Sequence, residues 1–326
     1  MHFFLGRIPG RLSNSLMRKF SPYIIHCGSK GNFSNTIEEI IQAETGYSNY
    51  LLVSRRSKIK IISIDEKGNS RKVTSINRYD YNFPKIIEKF ERVFPKMHDP
   101  LNKIWIEDWI PGRKLEPSNL KEVINTMKWL IDFQKKSNQG IVSEKEINIE
   151  IEDLKEGLNH FPKEKFELFS LWLNEYKKYI LTKKIPITGV HGDFWIGNIL
   201  FDSRQKKISV IDWELFREKG NSLYDFMLFL YNLMSMVKGD NPISSFSKAL
   251  KEESGNIKII NEVKKIMNEY FSTDLDYKLL LKITIMKKLV IPKGSLSKIY
   301  DTTKQAKIDN TKNSIYTKML EILSNT

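Results

Sequence analysis

A polar motif set between short apolar runs constrains the fold of this chain most: HGDFWIGNILFD at 191–202 and VIDWE at 210–214. The apolar, β-prone run ITGV (187–190) predicts a strand that leads into a loop, and Gly192 allows that loop to bend. Asp193 follows at once. The pattern therefore predicts a carboxylate presented in a loop between two strands.

Two short strands are predicted after this loop, NILFD (198–202) and KISVIDW (207–213), joined by a polar turn. A tight hairpin places them side by side, so Asn198 can converge with Asp212 at the end of the second strand, with Asp193 nearby. Two oxygen ligands of this kind suit Mg²⁺, which typically takes one or two protein carboxylates. A further carboxylate can accept a proton from a hydroxyl nucleophile. Phosphoryl transfer needs these parts.

The order of the other predicted elements indicates a small mixed lobe followed by a helical one. The N-terminal third alternates strand and helix patterns up to Pro111-Gly112, and apolar residues then recur at helical spacing from a cap at Ser118. The predicted strands are 50–54, 58–65, 71–76 and 103–110, and the predicted helices of this third are 36–44 and 84–94.

Composition narrows the class of protein. The 326 residues carry a formal charge of +14, but the lysines are dispersed and no basic run alternates with aromatic residues, which argues against a nucleic-acid-binding face. The single cysteine, Cys27, excludes a disulfide within the chain. The longest apolar stretch, 226–237, is shorter than the roughly 20 residues that span a bilayer. We expect no membrane span and a cytoplasmic location.

The loop motif HGDFWIGN resembles the H-G-D-x-x-x-x-N catalytic loop of the aminoglycoside phosphotransferase and choline kinase-like enzymes, and IDWE resembles their metal-binding segment. The resemblance implies that Asp193 is the catalytic base, that Asn198 and Asp212 bind Mg²⁺, and that His191 anchors the loop. GNSLYDF (220–226) is similar to the segment that follows the metal strand in that family. It implies that Asp225 supports the catalytic loop.

The resemblance extends to the nucleotide-binding side. IEDWIPGRKL (106–115) looks like the lobe-linking hinge of the family, which implies that the backbone near Glu107 and Trp109 binds the nucleotide base. The loop expected to cover the phosphates has no glycine but contains Arg55 and Arg56, which either contact phosphate or form a solvated turn.

A lysine that contacts the α- and β-phosphates is also expected in such a lobe. Lys72 is the candidate, with Glu88 on the next predicted helix as its partner and Glu91 as the rival. A chain in which no lysine fills this role would be a weak or inactive relative.

The acids between Glu144 and Glu175 leave two interpretations of the acceptor region. An acidic lining would suit an amino sugar or a choline-like cation, but interspersed lysines favour a solvated helix face.

The sequence thus predicts a two-lobed, protein-kinase-like α+β fold, with an N-terminal lobe at 1–109, a C-terminal helical lobe at 110–326 and the nucleotide between them. The predicted activity is transfer of the γ-phosphoryl group of ATP or GTP to a hydroxyl of a sugar, aminosugar or amino alcohol, with Mg²⁺. The alternative is a catalytically inactive nucleotide-binding or scaffolding protein of the same fold. A protein kinase is disfavoured because H-R-D, D-F-G and A-P-E segments are absent from the sequence.

Overall fold

The computed structural model describes most of the chain after residue 111 and the strands before it. The chain divides into two compact units, Met1–Pro111 and Gly112–Thr326. The described residues are 24–25, 49–55, 58–64, 71–77, 96–99, 104–108, 112–159, 161–202, 206–237, 240–297 and 310–325.

The first unit contains a six-stranded antiparallel sheet with the order β1-β2-β3-β4-β6-β5. Strands β2, β3 and β4 are neighbours both in sequence and in the sheet, whereas β6 pairs with β4 and β5 lies beyond β6 at the edge. The strands are β1 (Ile24–Ile25), β2 (Asn49–Arg55), β3 (Lys58–Ile64), β4 (Arg71–Asn77), β5 (Lys96–Asp99) and β6 (Ile104–Asp108).

The four predicted strands of this unit are confirmed as β2, β3, β4 and β6. The two strands of this unit that were not predicted, β1 and β5, lie at the edges of its six-stranded sheet. They are two and four residues long, and such short edge strands carry too few residues to show alternation. The predicted helices 36–44 and 84–94 lie outside the described residues.

The second unit is mainly helical and contains two small antiparallel sheets, β10-β9-β7 and β11-β8. Its helices are α1 (Leu120–Lys136), α2 (Glu144–Leu158), α3 (Lys163–Lys183), α4 (Leu223–Ser235), α5 (Pro242–Leu250), α6 (Ile257–Phe271), α7 (Tyr277–Ser297) and α8 (Asn310–Asn325). Its strands are β7 (Arg113–Lys114), β8 (Ile187–Val190), β9 (Ile199–Asp202), β10 (Lys207–Val210) and β11 (Arg217–Asn221).

Helix α4 forms the centre of the second unit, and every one of its residues is buried. Apart from Asp225, Asn232 and Ser235 its residues are aliphatic or aromatic, which is typical of a helix covered on every side. Of the described residues, none belongs to a helix that is long and apolar enough to cross a membrane.

Helix α1 begins one residue later than predicted. Asn119, and not Ser118, is its N-cap: the Asn119 side chain accepts a hydrogen bond from the backbone N–H of Glu122 at 3.3 Å. Both residue types cap helices well, so the sequence alone does not separate them.

The predicted hairpin is confirmed, but both of its outer ends differ from the prediction. Strand β9 begins at Ile199 and β10 ends at Val210, with Val210 paired to Ile199. Asn198 lies in a short 3₁₀ turn, and Asp212 has left-handed backbone angles (φ 67°, ψ 58°) two residues beyond β10. Aspartate tolerates this conformation better than most residues because its short polar side chain can bond locally.

Helices α2 and α7 approach each other closely at Gly157. A Cβ atom at this position would lie 2.0 Å from Cγ1 of Val290. Only a residue without a side chain allows this approach. This close packing positions the section of α7 just before Val290, which carries Lys287 and Lys288.

Candidate active site

The loop after β8 carries the residues predicted to do chemistry. All four residues of β8 are buried, and the strand pairs with β11, so the start of the loop is fixed. Gly192 has φ +80°, and a Cβ there would lie 2.3 Å from the backbone oxygen of Leu215. The sharp bend that presents Asp193 therefore requires glycine at position 192.

Asp225, in the first turn of α4, binds the backbone of this loop through its side-chain carboxylate. Its Oδ2 accepts from the N–H of His191 at 2.7 Å, and its Oδ1 accepts from the N–H of Gly192 at 3.0 Å. The carboxyl is fully buried, and burial raises its pKa to about 7, although the two N–H donors act in the opposite direction. Asp225 thus contacts the loop that the resemblance implied it supports, and that role stays a prediction.

The imidazole of His191 joins the loop to the turn that contains Asp212. Its Nδ1 accepts from the backbone N–H of Asp193 at 3.2 Å, which leaves the proton on Nε2, and Nε2 donates to the carbonyl oxygen of Ile211 at 3.1 Å. Burial lowers the pKa of His191 to about 4, so the ring is neutral at pH 7. Because both ring nitrogens are engaged, His191 orients the loop and is not placed to act as a base.

The carboxylate of Asp193 is oriented by two side chains. Its Oδ2 accepts from Nδ2 of Asn198 at 3.1 Å, and the same nitrogen also donates to the Asp193 carbonyl oxygen at 3.0 Å. Its Oδ1 accepts from Nζ of Lys288 on α7 at 2.9 Å. Sequence reasoning missed Lys288, since a lysine in a chain with 53 lysines and arginines gives no distinguishing signal.

The structure brings Asn198 next to the turn of Asp212. The backbone N–H of Ile211 donates to the carbonyl oxygen of Asn198 at 2.9 Å, so the residue preceding Asp212 is bonded to Asn198. Because Nδ2 of Asn198 is bonded to Asp193, the amide oxygen is the atom of that side chain left to bind a cation. An amide oxygen and a carboxylate form a hard oxygen donor set of the kind Mg²⁺ prefers.

The described residues contain no group of three or more histidine, cysteine, aspartate or glutamate side chains that could hold a metal ion. The predicted Mg²⁺ does not need such a group, because this ion keeps several waters and is commonly held by one or two protein ligands together with substrate phosphates. Asn198 and Asp212 therefore fit a metal that arrives with a nucleotide.

The predicted nucleotide-binding residues belong to the first unit. Arg55 is the last residue of β2 and pairs with Lys58, Lys72 in β4 is opposite Asp108, and Glu107 in β6 is opposite Val73. The other three, Arg56, Glu88 and Trp109, lie outside the described residues, as does the rival Glu91. The roles of all six candidates stay predictions.

The acids from Glu144 to Glu175 are mostly solvated. This range contains nine acidic residues, and seven of them are exposed. Glu150 is half-buried: it forms an ion pair with Lys287 and accepts a hydrogen bond from the hydroxyl of Tyr176. The structure therefore favours the predicted solvated face over an acidic lining.

Comparison with known proteins supports the same fold and enzyme class. Residues 109–255 match the model of the phosphotransferase enzyme family, which confirms the predicted resemblance and the predicted phosphotransferase class. This range contains Asp193, Asn198, Asp212 and Asp225. No curated protein sequence matches the chain.

Solved structures confirm the α+β fold. The choline kinase LicA from Streptococcus pneumoniae is 13% identical, with 91% of this chain and 100% of that chain covered and a TM-score of 0.52. LicA in complex with AMP gives 13% identity, coverage of 98% and 99%, and a TM-score of 0.51. An ethanolamine kinase from Plasmodium vivax is 11% identical, with coverage of 99% and 95% and a TM-score of 0.50.

Proposed function

We propose that this chain, whose residues 109–255 match the phosphotransferase enzyme family, is a small-molecule kinase. It transfers the γ-phosphoryl group of ATP or GTP to a hydroxyl of a sugar, aminosugar or amino alcohol. The observation that carries the proposal is the position of the Asp193 carboxylate, which is bonded to Asn198 at 3.1 Å in a loop fixed by Asp225. Since such an enzyme consumes nucleoside triphosphate, we place it in the cytoplasm.

Asp193 acts as the general base. Its carboxylate accepts the proton of the acceptor hydroxyl while the hydroxyl oxygen bonds to the γ-phosphorus. The bond from that phosphorus to the bridging oxygen breaks, and the electron pair leaves with the nucleoside diphosphate. The Nδ2 donor of Asn198 fixes the plane of the carboxylate, so the base needs little reorientation when the acceptor binds.

Asn198 and Asp212 would hold Mg²⁺, which neutralises charge on the phosphates when it is bound. Asn198 contributes its amide oxygen and Asp212 its carboxylate. The hydrogen bond from the backbone N–H of Ile211 to the carbonyl oxygen of Asn198 holds the two proposed ligands close together. His191 connects this turn to the base through its two ring nitrogens.

The nucleotide is proposed to bind with the first unit. Lys72 would contact the α- and β-phosphates with Glu88 as its partner, Arg55 and Arg56 would cover the phosphates, and the backbone near Glu107 and Trp109 would bind the base. The AMP complex of LicA, which shares this fold, supports nucleotide binding. A choline kinase and an ethanolamine kinase share this fold, and this similarity supports a small-molecule acceptor. We propose no nucleic-acid partner.

A thermal-shift titration with ATP and GTP, with and without Mg²⁺, tests this proposal. Ligands that bind only the folded state raise its melting temperature by mass action. We expect a Mg²⁺-dependent rise that is lost in Asp212→Ala and kept in Asp153→Ala, an exposed control on α2. No rise with either nucleotide would contradict the proposed kinase, and an unchanged rise in Asp212→Ala would place the metal elsewhere.

A further inference from the structure

Lys288 places a positive charge directly at the proposed base. Its Nζ lies 2.9 Å from Oδ1 of Asp193, and the two side chains are 18% and 29% exposed. A charge that is largely withdrawn from water interacts more strongly with its surroundings than a solvated one. The ion pair therefore differs from an ordinary surface salt bridge, which contributes little.

An acceptor hydroxyl must come close to this ammonium group. Each carboxylate oxygen of Asp193 already accepts one hydrogen bond, from Lys288 at Oδ1 and from Asn198 at Oδ2. A carboxylate has about four acceptor positions, so a hydroxyl can still donate to it. A hydroxyl that donates to Oδ1 would lie about 4–5 Å from Nζ of Lys288, given ordinary hydrogen-bond lengths.

The adjacent Lys287 has a different role. It forms an ion pair with Glu150, and its Nζ lies 4.6 Å from the centre of the Tyr224 ring. Neighbouring residues on a helix point about 100° apart, which separates the two ammonium groups. Lys287 thus balances the charge of Glu150, whereas Lys288 donates to Asp193.

The hydroxyl of Tyr224 is an unused polar group near the same carboxylate. It is buried and has no hydrogen-bond partner among the described residues. Burial raises the pKa of Tyr224, and the negative charges of Asp225 and Asp193 add to that effect. A buried hydroxyl without a partner is costly.

We propose that Lys288 is a specificity-determining residue of the acceptor site, and that the acceptor is an uncharged sugar or polyol. A cationic group next to the reacting hydroxyl would be repelled by the ammonium group of Lys288, and the positive charge of Lys288 offsets the negative charge of Asp193 that would otherwise attract such a group. An uncharged compound with hydroxyl groups would instead donate to Asp193 without that repulsion. This inference rests on the proposed kinase function and narrows its acceptor class.

Acceptor pairs that differ mainly in charge test the inference: glucose against glucosamine, and 3,3-dimethylbutan-1-ol against choline. For the wild type with Mg–ATP, we expect kcat/KM for the uncharged member to exceed that for the cationic member by about tenfold or more, given the strength of a half-buried charge contact. The ratio is informative because a general loss of turnover affects both members equally.

Three variants assign the preference to the charge of Lys288. Lys288→Met is expected to bring the ratio close to one, and Lys288→Arg, which keeps the charge, is expected to restore it. Lys278→Met removes an exposed lysine from the same helix and should leave the ratio unchanged. A wild type that prefers the cationic members, or a ratio that survives in Lys288→Met, would overturn the inference.

Calorimetric titration of the same pairs separates this inference from the proposed function, since binding needs no turnover. Binding of the uncharged members without any Mg–ATP binding would contradict the kinase proposal but support the charge preference. A protein that binds Mg–ATP but no member of either pair, or binds the cationic members more tightly, would overturn the acceptor assignment alone.

Discussion

Asn198 donates its side-chain amide to Oδ2 of Asp193 at 3.1 Å, so the proposed metal ligand also orients the proposed base. Asn198→Asp separates these two roles because it keeps oxygen ligands and removes the donor. We expect Mg–ATP to bind nearly as in the wild type and turnover to fall by roughly 10–100-fold, since the two carboxylates repel each other and the base loses its orientation. Initial rates and nucleotide titrations measure the two effects. Exposed Asn174→Asp is the control, and wild-type turnover in Asn198→Asp would refute the orienting role.

Asp193→Asn should abolish most of the phosphoryl transfer and leave nucleotide binding intact. An amide cannot accept the proton of the acceptor hydroxyl at neutral pH, and a general base typically contributes about 10²–10⁴-fold to the rate. Steady-state rates with Mg–ATP, together with a thermal-shift control for folding, measure the change. Near-normal turnover in this variant would place the base at another residue.

Asp225 should make the free energy of unfolding fall as the pH rises from about 4 to about 7. Its pKa is about 7 in the folded protein and 3.8 in the reference state, so the folded protein holds an extra proton in this window and loses that advantage as the pH rises. Urea unfolding of the wild type and Asp225→Asn measures the difference between them. We expect the free energy of unfolding of the wild type to fall relative to that of Asp225→Asn as the pH rises. A constant difference would show that Asp225 has an ordinary pKa.

His191 should have the opposite pH dependence. Burial lowers its pKa from 6.5 to about 4, so the unfolded chain binds more protons between these values and stability rises with pH. Protonation of Nδ1 would also break the hydrogen bond from the backbone N–H of Asp193. The stability of the wild type relative to His191→Gln is therefore expected to increase from pH 4 to 6.5. A difference that stays flat would argue against a buried neutral imidazole.

Gly157→Ala should destabilise the second unit through a clash with Val290. The added Cβ would lie 2.0 Å from Cγ1 of Val290, and such overpacking typically costs about 1–3 kcal/mol. Val290→Ala removes the clashing atoms, so the double variant should recover part of the loss relative to Gly157→Ala alone. Chemical unfolding of the four proteins gives this coupling energy. Strict additivity would show that the helices move apart without strain.

The arrangement of the loop at residues 191–198 could be predicted from sequence because its residues are contiguous and their spacing carries the geometry. Asn198 follows Asp193 by five positions, and the short hairpin brings the turn of Asp212 back to it. The left-handed backbone of Asp212 was missed, since strand propensity extends through the apolar residues before it. The ion pair between Asp193 and Lys288 spans 95 positions, and only the packing of α7 against the rest of the unit creates it.

The bridge made by His191 has a mechanical consequence. One ring nitrogen accepts a hydrogen bond from the backbone N–H of Asp193, the proposed base, and the other donates to the carbonyl oxygen of Ile211, which precedes the proposed metal ligand. A small displacement of either segment is transmitted to the other through a rigid, planar ring. We therefore expect the Asp193 loop and the turn of Asp212 to move together, so that the proposed base and the proposed metal ligand keep their relative positions.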